Sequence, residues 1–439
     1  MINERIIFII LLLSLSLEQS TIKRSQRSKH GEDCISNSAC EEGLFCIKNR
    51  CYTKYELNNL KSLGLLEENI CNTKKLCPKN QICEKHRCIN NNNSIILPPK
   101  NNSFKIDDVH LLFAGGIYLN KNPYLSGINP NQTINYDHLF KHISDYIKNA
   151  DLSVVSQETP FSIVEGEFTK DFKNTPKELG DAIANAGFKV VLYAGKSAYS
   201  KKEKGIIDTL NFWKTKYPDI HPLGISSTIE ESQKDYYIFN KNNIKIGIIN
   251  YSDFDGKSIP TKNKFMVNKI DKKKVEDCVK KLKKEVDFII ACINWGARYS
   301  ITPNKKEIKW AKILAGFGVN LIIGNHPSNV QPVSYVKAEN GNYALVFFSL
   351  GNLIAENNLK YNALGALANI IISKENGKTF ISSYNLVPTI NFNIPSSQYT
   401  VYNIIDFNES LGKIINKRFS LEKIKRTCRN IMGAFAHCG

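Results

Sequence analysis

From about residue 105 onward, short apolar runs alternate with amphipathic segments along the chain. The apolar runs are bounded by glycine, proline or polar residues, which is typical of buried strands. They predict strands at Val109–Ala114, Leu152–Val155, Phe188–Tyr193, Asn243–Tyr251, Phe288–Ile293 and Tyr343–Phe348. Segments with apolar residues three or four positions apart predict helices at Tyr136–Asn149, Pro176–Ala186, Val275–Val286 and Lys305–Phe317, with Thr175 as the cap of the second.

One more apolar run lies in the stretch Gly318–Val333 and leads into a turn that carries His326. The run Val319–Ile323 ends at Gly324, and Pro327 follows the histidine. This pattern predicts a core strand whose carboxyl end opens into a loop. Loops held at strand ends commonly carry functional groups, so His326 is a candidate site residue.

The first twenty residues predict a secretory signal. The apolar run Ile6–Leu17 follows Arg5 and is itself followed by the polar residues Glu18–Ser20. A retained membrane anchor is the alternative, although about twenty apolar residues are needed to cross a bilayer. We therefore expect a secreted or surface-exposed protein with no transmembrane helix in its mature chain.

Eight of the twelve cysteines fall between residues 31 and 90, in two sets with the same C-x5-C-x5-C-x4-C spacing. The sets are Cys34, Cys40, Cys46, Cys51 and Cys71, Cys77, Cys83, Cys88. Modules this small bury too little apolar surface to fold without cross-links, so two disulfides are expected in each. Zinc is the alternative, but structural zinc sites use closer cysteine pairs. The sequence leaves the connectivity open.

An asparagine- and proline-rich linker at residues 91–104 separates these modules from the main domain. Two sequons in it, at Asn92 and Asn101, are expected to carry glycans in a secreted chain. Near the C-terminus, Cys428 and Cys438 are candidates to close a terminal loop.

Several motifs of the main domain resemble those of the CapA capsule-synthesis family, which is related to the calcineurin-like metallophosphatases. Gly324, His326, Pro327, Gln331 and Pro332 fit the family pattern Gly-x-His-Pro-His-Val-x-Gln-Pro. Ser156–Pro160, Trp295–Gly296 and Ser349–Asn352 fit three further motifs in the same order. The resemblance covers roughly residues 105–393 and leaves 394–439 as a basic extension. It implies an α+β/α/β fold of the metallophosphatase type, a four-layer α/β/β/α sandwich preceded by the two disulfide modules.

The resemblance also implies where metal ligands would lie, and most of those positions are substituted. Glu158 and His326 are retained as the candidate catalytic residues, whereas the other positions hold Gly116, Gly195, Ser197, Asn294 and Ser328. A glycine provides no ligand, and asparagine is a poor replacement for imidazole with transition metals. We therefore expect a degenerate site, with neither metal nor other cofactor.

The formal net charge of +18 favours acidic partners, namely an anionic surface glycan or a polyacid. Nucleic acid is not expected as the partner of a secreted chain, and abundant lysine from genome composition is the alternative explanation. These features predict a non-catalytic binding or structural role at an anionic surface polymer. One alternative is a metal-dependent hydrolase of phosphoester or polyglutamate-type bonds that uses Mn, Fe or Zn. Another is an adhesin that acts through its cysteine-rich modules.

Overall fold

The computed structural model divides the chain into two compact units, Met1–Lys105 and Ile106–Gly439. The residues that it describes are 44–47, 50–53, 81–84, 87–90, 107–157, 159–161, 175–356, 363–393, 399–406, 421–432, 436 and 438. The predicted signal peptide, the linker with Asn92 and Asn101, and the cysteines at 34, 40, 71 and 77 lie outside these residues. So does Glu158.

The described part of the first unit consists of two hairpins, one in each cysteine repeat. Strands β1 (Leu44–Ile47) and β2 (Arg50–Thr53) pair antiparallel, as do β3 (Gln81–Glu84) and β4 (Arg87–Asn90). Cys46 lies opposite Cys51 in the first hairpin, and Cys83 lies opposite Cys88 in the second. The equal spacing of the two repeats therefore corresponds to equal backbone pairing, while the disulfide bonds of the modules stay a prediction.

The second unit contains strands at all seven of the predicted apolar runs, together with strands and helices that the sequence analysis did not predict, among them the helix Lys202–Lys216 and the strand Lys378–Asn393. Its strands are β5 (Asp107–Ile117), β6 (Leu152–Gln157), β7 (Val190–Leu192), β8 (His221–Leu223), β9 (Tyr236–Lys241), β10 (Ile244–Ser252), β11 (Phe288–Asn294), β12 (Leu321–Asn325), β13 (Val333–Lys337), β14 (Tyr343–Phe347), β15 (Asn352–Ile354), β16 (Leu364–Glu375), β17 (Lys378–Asn393) and β18 (Tyr399–Asn403). Its α-helices are α1 (Lys121–Leu125), α2 (Ser144–Lys148), α3 (Lys177–Ala186), α4 (Lys202–Lys216), α5 (Ile229–Ser232), α6 (Lys272–Leu282), α7 (Lys305–Phe317) and α8 (Leu421–Met432). Short 3-10 turns occupy Asp137–Phe140, Thr261–Met266 and Ile404–Asp406.

The strands form two mixed sheets. The first has the order β18-β17-β16-β5-β6-β7-β8, with β15 added beside β5, and the second has the order β13-β14-β12-β11-β10-β9. Within them β5, β6, β7 and β8 run parallel, and so do β10, β11, β12 and β14. The carboxyl ends of the parallel strands in each sheet therefore meet along one edge, where α/β folds place their sites.

Side-chain alternation along the strands shows how the sheets are layered. Leu111 of β5 and Ile248 of β10 face a shared core between the two sheets, whereas the neighbouring Leu112 and Ile249 face outward. Helices α3 and α4 cover the outer face of the first sheet, and α6 and α7 cover that of the second. The result is an α/β/β/α sandwich, which confirms the predicted fold class.

Two local predictions were wrong. The segment Tyr136–Asn149 is a 3-10 turn followed by the short helix α2, because the backbone leaves the helical region at Ile143 (φ −124°, ψ 0°). Thr175 does not cap α3, since Pro176 is the cap residue and the Thr175 hydroxyl instead accepts a hydrogen bond from Gln157 Nε2 at 3.3 Å. The apolar side chains of both segments are nevertheless buried as predicted.

The described residues after 393 belong to the domain and do not extend from it, which corrects the predicted boundary. Strand β18 pairs with β17 at the edge of the first sheet, and α8 buries Ile424 and Met432 in the core between the sheets. Cys428 and Cys438 form a disulfide with Cα atoms 5.7 Å apart. Among the helices that the structure describes, none has the length and apolar character needed to span a membrane.

Candidate functional site

The segment that follows β14 joins the edges of the two sheets. After leaving the second sheet, residues 348–351 cross to the first sheet, where β15 pairs with β5. The amide of Gly116 donates to the carbonyl of Gly351 at 3.0 Å, and the amide of Leu350 donates to the carbonyl of Gly324 at 3.2 Å. The carboxyl ends of β5 and β12 are therefore both hydrogen-bonded to this crossing segment, at its adjacent residues Gly351 and Leu350.

This approach requires glycine at both strand ends. A Cβ atom on Gly115 would lie 2.2 Å from the carbonyl oxygen of Gly351, and one on Gly324 would lie 1.9 Å from that of Phe348. Trp295 stabilises the same crossing, because its Nε1 donates to the Phe348 carbonyl at 2.9 Å and its ring is 1% exposed. Trp295 is thus a packed indole, and Gly115 and Gly324 are points of close backbone contact.

The structure brings most of the predicted site positions to this edge. Gly116 pairs in register with Ser156 and Asn352, and Asn294 pairs with Asn325. Gly195 and Ser197 form a turn after β7, where Asn250 of the second sheet accepts from the amide of Ala194 at 2.8 Å. His326 and Ser328 follow the end of β12 directly. Glu158, two residues after Ser156, lies outside the described residues.

The described side chains do not provide the ligand set of a two-metal centre. Gly116 and Gly195 have no side chain, and the Asn294 Oδ1 already accepts from Ser252 Oγ at 3.3 Å. Within the described ranges, no three histidine, cysteine or acidic residues lie close enough together to hold one ion. A two-metal site needs several such ligands on separate strand ends. The described residues at this edge therefore do not provide such a ligand set.

What the edge does present is a set of buried hydrogen-bond acceptors. The atoms Gln157 Oε1, Asn325 Oδ1, His326 Nδ1, Asn329 Oδ1 and Gln331 Oε1 are inaccessible to solvent and have no hydrogen-bond partner among the described residues. Buried polar atoms are nearly always paired, so a cluster without partners calls for an explanation. Gln157 and Asn325 are the last residues of β6 and β12, and the other three lie in the loop after β12.

Three of these amides are held in orientation by their own nitrogen atoms. Gln157 Nε2 donates to the carbonyl of Thr159 at 3.0 Å, and Asn329 Nδ2 donates to that of Tyr299 at 2.7 Å. Gln331 Nε2 donates to the carbonyls of residues 300 and 302 at 3.3 and 3.2 Å. Because the donors are used inside the protein, the oxygens are the atoms of these amides that still lack a hydrogen-bond donor among the described residues.

The two loops that carry these groups are strained and tied together. Tyr299, His326 and Ser328 have φ of +67°, +101° and +66°, a region that side chains with a Cβ seldom adopt. The amide of Tyr299 donates to the carbonyl of Pro327 at 2.6 Å, which links the loop after β11 to the loop after β12. Strain of this kind costs roughly 1–3 kcal/mol per residue and tends to collect at functional sites.

Charged residues occur in the segments at this edge. Lys196 lies between Gly195 and Ser197, and Arg298 precedes Tyr299 in the loop after β11. Asp253 forms an ion pair with Lys306 at 3.0 Å. Glu307 closes the capping box of α7, where one carboxylate oxygen accepts from the amide of Asn304 at 2.8 Å. Burial raises the pKa of Glu307, which is 1% exposed beneath Gly296. The segments at the edge therefore combine amides, hydroxyls and one imidazole with the charged residues Lys196, Asp253 and Arg298.

Sequence reasoning identified His326 and the substituted positions but missed Gln157, Asn325, Asn329 and the buried Glu307. The signal for one of them was present, because Asn325 follows the apolar run Val319–Ile323 and Gly324 much as Asn294 follows its own run. A rule that marks the first polar residue after every predicted strand finds Asn325, but after Leu152–Val155 it selects Ser156 and not Gln157. Asn329 and Glu307 give no such signal, because their burial depends on contacts between segments distant in the sequence.

Comparison with known proteins places these residues in a family. The chain is 25% identical over 228 residues to the capsule biosynthesis protein CapA of Bacillus anthracis, a match that covers 50% of this chain and 54% of that protein. It is 22% identical over 265 residues to the PGA biosynthesis protein CapA of Bacillus subtilis (strain 168), which covers 58% and 66%. The chain thus spans between half and two thirds of the length of these curated relatives.

Similar solved structures include the calcineurin-like phosphoesterase YfkN from Bacillus subtilis, with a TM-score of 0.40 and 14% identity over 74% of this chain and 99% of that one. The NAD nucleotidase NadN of Haemophilus influenzae matches with a TM-score of 0.42 and 13% identity over 73% of this chain and 56% of its own. Residues 110–357, more than half of the chain, match the family described as bacterial capsule synthesis protein PGA_cap. The chain belongs to this family of bacterial capsule synthesis proteins.

Proposed function

We propose that this protein is a non-catalytic binding member of the capsule synthesis family and that it holds an anionic surface glycan at the edge of its two sheets. The observation that carries the proposal is the set of buried acceptors, Asn325 Oδ1 and His326 Nδ1 among them, without partners in the described part of the chain. Sugar hydroxyls are donors and match such acceptors, which a glycan reaches once the loops at this edge open. Polyglutamate offers one amide N–H per residue, whereas each sugar ring offers several hydroxyl donors.

The degenerate ligand set supports a binding role over hydrolysis. Glycine stands at two of the positions where the related hydrolases hold metal, and serine or asparagine at three others. Without metals to activate water, hydrolysis at this edge needs a nucleophile or a paired base. In the described part of the chain, His326 does not belong to any cluster of three or more histidine, cysteine or acidic residues.

The net charge and the predicted export of the chain support an anionic surface polymer as the partner. A charge of +18 raises the local concentration of polyanions around the protein. The predicted signal at residues 1–20 would deliver the chain to the cell exterior, where such polymers lie. The names of the two relatives, which refer to capsule and PGA biosynthesis, agree with a role beside a surface polymer.

The first test is the metal content of the purified full-length chain by elemental mass spectrometry, with His326→Gly measured alongside. Glycine removes the imidazole and tolerates the φ of +101° at this position. We expect a folded protein with far less than one equivalent of zinc, manganese or iron. Near-stoichiometric metal that disappears in the variant would overturn the proposal in favour of the metal-dependent hydrolase.

The second test is calorimetric binding of hyaluronate, an anionic hydroxyl-rich polysaccharide, with polyglutamate and neutral dextran for comparison. Asn325→Ala removes one buried acceptor, and we expect it to weaken hyaluronate binding by about fivefold or more. The matched control is Asn340→Ala, which changes an exposed amide in the turn between β13 and β14, at the end of β14 opposite to the edge. Equal hyaluronate binding by the original protein, Asn325→Ala and Asn340→Ala would contradict the glycan proposal. So would tighter binding of polyglutamate than of hyaluronate.

A further inference from the structure

A groove of about 670 Å³ lies on the outer face of the second sheet, remote from the edge just described. One wall is helix α7, and the opposite side is formed by the turn after β13 and by the start of α6. Its lining combines two kinds of residue, lysines and apolar side chains. The lysines are Lys272, Lys305, Lys309 and Lys312, and the apolar residues are Ile308, Ile313, Phe317 and Ala338.

The lining residues of α7 recur at helical spacing. Lys305, Lys309 and Lys312 are four and three positions apart. Ile308 lies four positions before Lys312, and other residues of the same stripe have the same spacings. Such residues lie on one face, one above the other. The helix has a separate buried face that packs on the sheet through Ala311, Leu314 and Ala315. Helix α7 therefore carries a second, mixed stripe that no described element covers.

The lysines of this stripe differ from others on the same two helices. Lys306 pairs with Asp253 at 3.0 Å, and Lys280 pairs with Glu276 at 2.7 Å. Lys305, Lys309 and Lys312 form no ion pair with any residue in the described ranges, and Glu339 is the one acid that lines the groove. Between them Ile308 is 37% exposed. Positive charge and apolar surface are thus available together.

We propose that this groove docks an acidic amphipathic helix of a partner protein. On a helix, carboxylates placed three or four residues apart recur every 5–6 Å. That repeat matches the row of lysines, while the apolar face of the incoming helix covers Ile308 and Phe317. The charge complementarity sets the orientation and speeds association.

Other anionic partners use only part of the groove. An amphiphile with one headgroup meets one lysine of the row, and a uniform polyacid leaves the apolar floor uncovered. A flat membrane does not enter the concave space between α7 and the turn at residues 338–340. The partner that uses the whole lining is a helix with both acidic and apolar side chains.

The test measures fluorescence anisotropy of a labelled sixteen-residue peptide that places glutamate and leucine on adjacent faces of one helix, titrated with the full-length protein. Lys309→Gln/Lys312→Gln should weaken binding roughly tenfold, as expected for two lost ion pairs. Ile308→Ser should weaken it as well, because the apolar floor is lost. The matched control, Lys189→Gln/Lys262→Gln, neutralises two exposed lysines elsewhere and should leave binding unchanged.

A charge exchange tests the contact directly. A peptide with lysine in place of glutamate should bind Lys309→Glu/Lys312→Glu better than it binds the original protein. The proposal is overturned if a peptide with the composition of the glutamate–leucine peptide in scrambled order binds the original protein equally well. It is overturned too if neither the glutamate–leucine peptide nor its scrambled form binds. It is also overturned if polyglutamate or phosphatidylglycerol vesicles bind as tightly as the amphipathic peptide, since these outcomes indicate a general polyanion or membrane surface.

Discussion

Replacing Gly324 by alanine tests whether close contact between the sheet edges holds this domain together. The new Cβ would lie 1.9 Å from the Phe348 carbonyl oxygen and 2.6 Å from Trp295 Nε1, and contacts under 3.0 Å are essentially never seen. The crossing segment must therefore retreat by more than an ångström. Both groups are buried, so the movement cannot be absorbed by a flexible side chain at the surface.

The cost follows from what the movement disturbs. Overpacking of a filled core costs about 1–3 kcal/mol. The Trp295–Phe348 and Leu350–Gly324 hydrogen bonds, at 2.9 and 3.2 Å, are strained or broken, and a buried group left unpaired costs about 1–3 kcal/mol. We expect a total loss of roughly 3–5 kcal/mol, which lowers the thermal midpoint of a domain this size by about 4–7 °C.

Thermal unfolding monitored by tryptophan fluorescence measures this loss, because Trp295 lies at the contact itself. Gly316→Ala is the matched control, since its Cβ would meet nothing closer than 3.6 Å and its φ is not positive. That change should stabilise α7 by about 0.5–1 kcal/mol. If the thermal midpoint of Gly324→Ala is not below that of Gly316→Ala, the argument that Gly324 permits the approach of the two edges is refuted.

Three further predictions concern other parts of the domain. His326→Gly should raise the urea unfolding midpoint by the equivalent of about 1 kcal/mol, because glycine relieves the strain at φ +101°, and a lower midpoint would contradict this. Burial raises the pKa of Asp235 from 3.8 to about 7, so its contribution to stability is present below about pH 4 and is lost as the pH rises through about 7. Asp235→Asn should therefore reduce that fall in unfolding free energy across a buffer series, and an unchanged slope would show that other groups cause it. Replacing both Cys428 and Cys438 by alanine should cost about 2–3 kcal/mol, the stabilisation expected from closing a loop of this length, whereas an unchanged midpoint of the variant would indicate that the bond adds nothing.

Local pattern was sufficient to predict many of the elements of the main domain. Helix α7 begins and ends at Lys305 and Phe317 as predicted, and the strand at Phe288–Ile293 differs by one residue. These elements could be predicted because their apolar side chains repeat at the period of the structure that buries them. The helix predicted at Tyr136–Asn149 was wrong because burial of its apolar residues did not require one continuous helix. The α/β/β/α order of the layers was predicted from the resemblance to the capsule-synthesis family and not from local pattern.

The sequence by itself therefore determined the cysteine repeat, the strands β5, β6, β7, β10, β11, β12 and β14, and the helices α3, α6 and α7, whereas α4 and the long strands β16 and β17 were not predicted. Only the tertiary structure decided which polar groups share the edge. Gln157 and Asn325 lie far apart in the chain, and they come to the same edge because residues 348–354 connect the two sheets. The lack of partners for the Asn325 and His326 acceptors is likewise a property of packing, since hydrogen bonding depends on the positions of neighbours that local pattern does not specify.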